Sequence, residues 1–158
     1  MAIRVNTPTK KTNHQPKNIM NKDTLIQGLN HDLAAELGTV IRYTYQAAKC
    51  YGLLAAELRE LLVKEAQDEL GHAADLMDVI QDLGSEPTTT PKPFEKPVDL
   101  KGMLELNVKM EAEDVANYLA HARLADQLGL PELKMKLEEM AADEAGHGRE
   151  LRRLLKGL

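Results

Sequence analysis

The sequence predicts an all-α protein, a four-helix bundle made of two antiparallel helix pairs joined by a long proline-rich crossover. Three observations support this prediction. Leu, Ala, Glu, Lys and Met, all good helix formers, dominate the composition, whereas Val and Ile are scarce and Phe94 is the only phenylalanine. Apolar residues recur at alternating steps of three and four along four segments. A length of 158 residues suits one domain with a single core.

The first 22 residues are predicted to form a disordered basic N-terminal arm. They contain five Lys or Arg residues, two prolines and no acidic residue. The whole chain has a formal net charge of −5, so subtracting the five arm charges leaves −10 on residues 23–158. The predicted organisation is therefore an arm over 1–22 and one helical domain over 23–158.

Capping residues and glycines set the boundaries of the first two helices. Asp23 is placed to cap a first helix, which runs to about residue 51 and ends at Gly52. The second helix is predicted over about 54–83 and is closed by Gly84. Because the connecting turn is short, these two helices are expected to be antiparallel.

A proline-rich linker separates the two helix pairs. Ser85–Val98 contains four prolines and is expected to be extended. Its 14 residues could span roughly 45 Å, about the length of a 30-residue helix, so helix 3 can run parallel to helix 2. Asp99 is placed to cap helix 3, which ends near Leu128–Gly129. Pro131 suits the first turn of helix 4, which runs almost to the end of the chain.

The two halves of the domain are related in sequence. Aligning residues 25–83 with 100–158, without a gap, gives 17 identities in 59 positions. Several identities are polar residues at matching positions of the apolar pattern, which a shared helical composition does not explain. These polar pairs are Glu36/Glu111, Tyr43/Tyr118, Asp68/Asp143, Glu69/Glu144 and His72/His147.

Each predicted helix carries one glutamate in its inward apolar stripe, and helices 2 and 4 add a histidine three residues later, on the same face. Four carboxylates in a dry core cannot all stay ionised unaided, because burial costs several kcal/mol per ion. Two divalent cations would neutralise them. This ligand set is that of di-iron and di-manganese proteins, and calcium would prefer oxygen alone. The candidate ligands are Glu36, Glu69, His72, Glu111, Glu144 and His147.

These motifs resemble the ferritin-like superfamily, in particular bacterioferritins and bacterioferritin-like mini-ferritins. The resemblance covers about residues 23–157. It rests on NHDLAAELGTVIRYTY (30–45), KEAQDELGHAADL (64–76), KMEAEDVANY (109–118) and AADEAGHGREL (141–151). It implies two iron ions per subunit, with manganese as the alternative. Glu69 and Glu144 would bridge the ions, Glu36 and Glu111 would be terminal ligands, and His72 and His147 would each bind one ion.

Two departures from the family pattern limit what the resemblance implies. Leu70 stands where bacterioferritins have their haem-binding methionine, so we expect no haem. The chain ends 11 residues after His147, which leaves no room for a short fifth helix and favours a 12-subunit cage over a 24-subunit shell. The absence of a CxxC motif argues against an attached rubredoxin module.

Several residues near the candidate ligands have two interpretations. Tyr43 and Tyr118 are predicted to lie beside the site, the alternative being that they only fill core volume. Glu65 either contacts the site or the route by which iron reaches it, or is a partly exposed residue paired with lysine, which we favour. His31 and His121 are expected at the surface, and Cys50 is expected to be a buried small apolar residue.

The resemblance implies a cytoplasmic ferroxidase that oxidises Fe(II) with oxygen or hydrogen peroxide for iron storage and detoxification, as a homo-oligomeric cage. One alternative is a di-iron oxygenase or peroxidase, or a manganese catalase, without storage. Another is a DNA-binding protective mini-ferritin that uses the basic arm. A third is a structural helical assembly held together by its metals. No run of 18 apolar residues exists, so no membrane partner is expected.

Overall fold

The computed structural model describes residues 15–52 and 55–158, which form four helices and, within those ranges, no strand. The helices are α1 (Gln15–Ala48), α2 (Ala56–Asp82), α3 (Leu100–Gln127) and α4 (Pro131–Lys156). The predicted all-α four-helix class is therefore confirmed. None of the described helices is long and apolar enough to cross a membrane.

The start of α1 is the main correction to the predicted boundaries. The helix begins at Gln15, so residues 15–22, predicted as part of the arm, are helical. Proline suits the first turn of a helix, and nothing between Pro16 and Asp23 interrupts one, so Asp23 lies inside the helix rather than capping it. Residues 1–14, the rest of the predicted arm, lie outside the described residues.

The other helix ends lie within a few residues of their predicted positions. Gly52, Gly84 and Gly129 follow α1, α2 and α3 with φ of 80°, 79° and 71°, in the left-handed region that favours glycine. Asp99 caps α3 as predicted, because its Oδ1 accepts a hydrogen bond from the Gly102 amide at 2.7 Å. Two short connections and one long linker thus join the four helices.

Side-chain pairs along α1 and α3 give the direction of the bundle. As α1 advances from Asp32 to Gln46, its hydrogen-bonding partners in α3 descend from His121 to Asn107, so the two helices are antiparallel. Helix α2 follows α1 through a short turn and is also antiparallel to it. Consequently α3 runs parallel to α2, as predicted from the length of the linker.

The linker 85–98 runs along α1 and makes this parallel arrangement possible. Near its start, the Thr88 amide donates to Oδ1 of Asn30 at 2.7 Å. Further on, the Phe94 ring packs against Tyr45 with ring centroids 6.1 Å apart. The linker therefore ascends α1 in the same direction as α1 itself and returns the chain to the end of the bundle where α2 began.

The apolar core consists of two layers with a polar layer between them. Each buried leucine in these layers contributes about 1.5–3 kcal/mol to stability. One layer contains Leu25, Leu29, Leu33, Leu76, Ile80, Leu133 and Leu137, with smaller residues. The other contains Tyr43, Ala47, Leu58, Leu62, Leu104 and Leu151. The candidate ligands occupy the middle of each helix, between the layers, so both sides of the site are covered by apolar side chains.

Candidate metal centre

The six predicted ligands converge in the middle of the bundle. All are buried, with at most 10 % of any side chain exposed. Their oxygen and nitrogen atoms form two sets, and within each set all ligand atoms lie within 4.8 Å of one another. The central glutamates of α2 and α4 belong to both sets and could bridge two ions. The sets are Glu36, Glu69, His72 and Glu144, and Glu69, Glu111, Glu144 and His147.

The Glu-x-x-His motifs of α2 and α4 face each other across the bundle. Within the motifs, Nδ1 of His72 lies 3.2 Å from Glu69 and Nδ1 of His147 lies 3.0 Å from Glu144. Across the bundle, Nδ1 of His72 lies 2.8 Å from Oε1 of Glu144, and Nδ1 of His147 lies 3.3 Å from Oε1 of Glu69. Each imidazole thus turns Nδ1 towards both central carboxylates, which is the orientation needed to complete an ion's coordination.

The two tyrosines each hold a terminal carboxylate of the opposite half. The Tyr118 hydroxyl donates to Oε1 of Glu36, and the Tyr43 hydroxyl donates to Oε1 of Glu111. Both rings are almost fully buried, so they also fill core volume as the alternative interpretation held. Because each hydroxyl occupies one carboxylate oxygen, it orients the second oxygen for an ion.

Glu65 contacts the site, so the interpretation of this residue as partly exposed is wrong. Its side chain is buried, and Oε2 lies 2.5 Å from Nε2 of His147. The other oxygen, Oε1, lies 3.7 Å from Nζ of Lys64. The position four residues before Glu69 lies on the inward face of α2, which explains the burial. A carboxylate on the outer nitrogen of a ligand histidine fixes the ring and its tautomer.

A second polar stripe, which the sequence interpretation missed, lies between α1 and α3. His121, predicted to be exposed, is 16 % exposed and places Nδ1 2.5 Å from Oδ2 of Asp32. Gln46 and Asn107 exchange two amide hydrogen bonds of 3.2 and 2.7 Å. The sequence pattern that could have predicted this stripe is a polar residue at every seventh position in both halves. These are Asp32, Thr39 and Gln46 on α1, and Asn107, Asp114 and His121 on α3.

Arg42 is the other functional candidate that the sequence interpretation missed. Its side chain is 1 % exposed, and Nη2 lies 3.5 Å from Oε1 of Glu111. The guanidinium carbon lies 5.0 Å from the centre of the Tyr43 ring, and Nε has no hydrogen-bond partner. The available signal was its position on the polar stripe, three residues after Thr39. A fixed positive charge therefore lies beside one terminal ligand.

Burial and charge change the proton affinity of the terminal carboxyls. Burial and the charge of Glu69 raise the pKa of Glu36 well above its usual value, and the same two causes raise the pKa of Glu111. Burial also raises the pKa of Asp114 to about 7. The terminal carboxyls therefore retain protons in the metal-free protein and donate or share them in hydrogen bonds.

The central carboxylate and the histidines instead favour their charged forms. Burial acts to raise the pKa of Glu69, but hydrogen bonds from His147 and His72 outweigh it, so the pKa is lowered. Burial acts to lower the pKa of His72, yet Glu144 and Glu69 raise it to about 10. In the metal-free protein, imidazolium protons thus neutralise the charge that cations would otherwise balance.

The unsatisfied atoms of the site point to cation binding. Among the described residues, Oε1 of Glu69, Oε2 of Glu111 and Oε1 of Glu144 are buried and accept no well-aligned hydrogen bond, although a histidine Nδ1 lies 3.3 Å from the first and 2.8 Å from the last. Buried polar atoms in native proteins are nearly always satisfied, so orphaned ligand oxygens are expected where a metal completes the structure. Mixed carboxylate and imidazole donors suit iron or manganese.

A cleft of about 650 Å³ between α2 and α4 leads from the surface to the two histidines. Its walls carry more acidic than basic side chains, which favours the approach of cations. The charged lining residues are Glu65, Asp68, Asp143, Glu150, Lys64 and Arg149. His72 and His147 also line it, so an ion entering this cleft reaches two of the candidate ligands.

The chain is similar to known proteins of one family. The family of ferritin-like domains described as "Ferritin" matches residues 26–158. A bacterioferritin from Brucella melitensis biotype 1 is 32 % identical over 128 residues, which cover 78 % of this chain and 77 % of the relative. A ferritin-like di-iron carboxylate protein from Bacillus anthracis superposes with a TM-score of 0.83 and 39 % identity, over 85 % of this chain and 97 % of the other.

A third similar protein is known as an assembly. The bacterioferritin-related protein of Bacteroides fragilis, described as a dodecameric thioferritin, superposes with a TM-score of 0.77 over 86 % of each chain. Its sequence identity is 22 %, so this likeness concerns the fold alone.

Proposed function

Because the chain belongs to the ferritin-like family, we propose that it is a ferroxidase, which oxidises Fe(II) with oxygen or hydrogen peroxide for iron storage and detoxification. The resemblance to bacterioferritins is confirmed by the 32 % identical relative. The observation that carries the proposed activity is the convergence of six buried ligands into two sets that share two glutamates. This arrangement suits a pair of neighbouring iron ions.

Each residue of the site has a distinct task in the proposed reaction. Glu36 and His72 hold one Fe(II), Glu111 and His147 hold the other, and Glu69 and Glu144 bridge them. The ions are the substrate, and each gives one electron to the oxidant. The protein supplies geometry and charge balance, and the apolar layers on both sides exclude water.

Proton release accompanies binding in this proposal. The imidazoles and the terminal carboxyls hold protons in the metal-free protein, and a ligand must lose its proton before it binds an ion. Tyr43 and Tyr118 keep the terminal carboxylates in place while this exchange occurs. The cleft between α2 and α4 is the proposed access route for iron.

Storage requires an enclosed space, so we also propose that the chain assembles into a homo-oligomeric cage in the cytoplasm. The fold it shares with the dodecameric protein of Bacteroides fragilis supports twelve subunits. Large apolar side chains exposed on the single chain are available for contacts between copies. They include Ile41, Val63, Leu70, Leu119 and Met135.

A non-storing di-iron peroxidase or manganese catalase is the second candidate. The cleft that reaches His72 and His147 would admit a small substrate such as hydrogen peroxide, which is the observation in its favour. DNA protection by the basic arm remains a prediction, because residues 1–14 lie outside the described residues. The absence of haem, argued from Leu70, also remains a prediction.

Replacing Glu144 with alanine tests the proposed site. Glu144 contacts both histidines, so Glu144→Ala should abolish rapid Fe(II) oxidation, followed by stopped-flow absorbance of the ferric product. Glu138→Ala, on the same helix at an exposed position, is the matched control and should oxidise iron like the wild type. Circular dichroism should show the same helix content in both variants. Rapid oxidation by a folded Glu144→Ala protein would refute the assignment.

A further inference from the structure

The internal repeat makes the ligands of the two halves equivalent, but it does not make their surroundings equivalent. With the offset of 75 residues, every ligand has an identical counterpart. Three buried charged residues around Glu111 and His147 have neutral counterparts around Glu36 and His72. The pairs are Arg42 with Asn117, Asp114 with Thr39, and Glu65 with Met140.

We propose that Arg42 is a positioning residue that weakens cation binding by Glu111 and His147, so that the position formed by Glu36 and His72 fills first. The inference rests on the proposed two-ion site, and it concerns how that site is loaded. It assigns the first ion to the half without the guanidinium and makes the second ion the one that is held less tightly.

The contacts of Glu111 supply the first argument. Its Oε1 accepts hydrogen bonds from both Tyr43 and Arg42, whereas Oε1 of Glu36 accepts from Tyr118 alone. Each of the two carboxylates therefore has one oxygen left for an ion, but only Glu111 also faces a guanidinium. The Arg42 contact is long, at 3.5 Å, so Arg42 acts on Glu111 through its charge, which already matches part of the negative charge that a cation would use.

The burial of Arg42 supplies the second argument. With 1 % of its side chain exposed, the guanidinium is hardly screened by water or salt. Arginine also cannot shed its proton at any pH at which proteins fold. A permanent positive charge next to Glu111 thus repels a divalent ion in that half, and repulsion falls with distance towards the other half.

The other two charged residues do not cancel this effect. Glu65 faces the outer nitrogen of His147, across the imidazole ring from the ligand atoms, and Lys64 lies 3.7 Å from it. Asp114 is attracted by Lys92 as well as by Arg42, and burial keeps it partly protonated near pH 7. Arg42 is the one of the three that contacts a ligand carboxylate and always keeps its charge.

Single-ion variants separate the two positions and remove repulsion between the ions. His147→Ala leaves the Glu36 position with its histidine, and His72→Ala leaves the Glu111 position with its own. Co(II) is the probe, because it resists oxidation by air and its visible absorption reports coordination. Isothermal titration calorimetry and the Co(II) spectrum give the dissociation constant of each variant.

We expect Co(II) to bind the His147→Ala protein at least about tenfold more tightly than the His72→Ala protein. Adding Arg42→Gln should tighten binding about tenfold in the His72→Ala background and change it less than about threefold in the His147→Ala background. Asn117→Ala, at the repeat position of Arg42, is the matched control and should leave both constants unchanged. Equal effects of Arg42→Gln in both backgrounds, or none, would overturn the inference.

A second variant tests the inference if Arg42→Gln fails to fold. Arg42→Met also removes the charge and fills the buried position with a long apolar side chain. It should tighten Co(II) binding in the His72→Ala background, and unchanged or weaker binding there would contradict the inference. Wild-type protein that binds two Co(II) but does not oxidise iron would refute the proposed ferroxidase and leave the role of Arg42 intact. Wild-type protein that binds fewer than two would refute both.

Discussion

Protons occupy several of the six side chains that we propose as metal ligands, so metal ions would have to displace them. The raised pKa of His72 and of the terminal carboxyls means that the folded, metal-free protein binds protons that the unfolded chain would release. The lowered pKa of Glu69 has the opposite effect, because the folded protein keeps that carboxylate ionised. The site therefore makes the stability of the metal-free protein depend on pH in both directions.

The melting temperature of metal-free protein should fall as the pH rises from about 6.5 to about 10. A histidine with a raised pKa contributes fully below its unfolded value of 6.5, and the contribution is lost as the pH rises through about 10. The expected fall is at least about 3 °C, since 1 kcal/mol corresponds to about 2–4 °C for a chain of this size. Circular dichroism melts of chelator-treated protein measure it.

Two controls separate this effect from a general response to alkali. His72→Gln should make the decline shallower, because one of the titrating groups is removed, and bound Mn(II) should reverse the decline, because metal replaces the protons. Below pH 4.5 the metal-free protein should lose stability again as Glu69 is protonated. A melting temperature that rises with pH over the alkaline window would contradict the proton balance described here.

The helices are held in register by polar pairs as well as by the apolar layers. Asp32 with His121 and Gln46 with Asn107 are equivalent under the internal repeat, yet one pair contains ionisable groups and the other two amides. Each pair is satisfied only when α1 and α3 are aligned as they are. A shift of either helix by one turn would leave buried polar groups unpaired, at about 1–3 kcal/mol each.

The linker depends on one glycine of α1. A Cβ atom on Gly38 would lie 2.5 Å from the carbonyl oxygen of Lys92, whose own amide donates to the Ala34 carbonyl at 2.6 Å. A backbone atom cannot move aside as a flexible side chain can, so a methyl group here would push the linker off the helix. Glycine at this position is thus a packing requirement of the crossover.

Gly38→Ala should therefore destabilise the protein by about 1–3 kcal/mol, the usual cost of overpacking. Gly71→Ala is the matched control. A Cβ on Gly71, also inside a helix, meets nothing within 4 Å, so the change should stabilise the protein by about 0.5–1 kcal/mol. Urea unfolding followed by circular dichroism measures both. Equal effects of the two substitutions would show that the linker does not press on α1.

The proposed iron oxidation requires one chain, whereas the proposed iron storage requires an assembly. The candidate ligands of both ions come from the four helices of a single subunit, so the proposed oxidation needs no partner chain. Retaining the ferric product requires an enclosed cavity, which a single four-helix bundle does not provide. The two halves of the proposed function can therefore be separated experimentally by counting iron per particle.

Metal-free protein given excess Fe(II) in air should elute from a sizing column as a large particle carrying many more than two iron ions per chain. Twelve chains of 17.6 kDa would form a particle of about 210 kDa. A small species with about two iron ions per chain would instead favour the non-storing di-iron enzyme. Glu144→Ala supplies the control, since it should assemble but acquire iron slowly.

The helices and the six ligands could be predicted because both depend on local periodicity. A glutamate in an apolar stripe, with a histidine three residues later, lies on the inward face wherever the bundle forms. The repeat at an offset of 75 then doubled the signal. The prediction that Glu65 is partly exposed was wrong because two local signals disagreed. Its position indicates an inward side chain, but a lysine beside it is equally typical of a solvated face.

The sequence by itself determined the helical class, the crossover and the ligand types, since these follow from spacing along one chain. The tertiary structure alone decided which groups meet across helices. Tyr43 holds Glu111 rather than a ligand of its own helix, Arg42 turns inward, and His121 of α3 contacts Asp32 of α1. These contacts depend on the relative rotation and register of two helices, which periodicity within each helix does not specify.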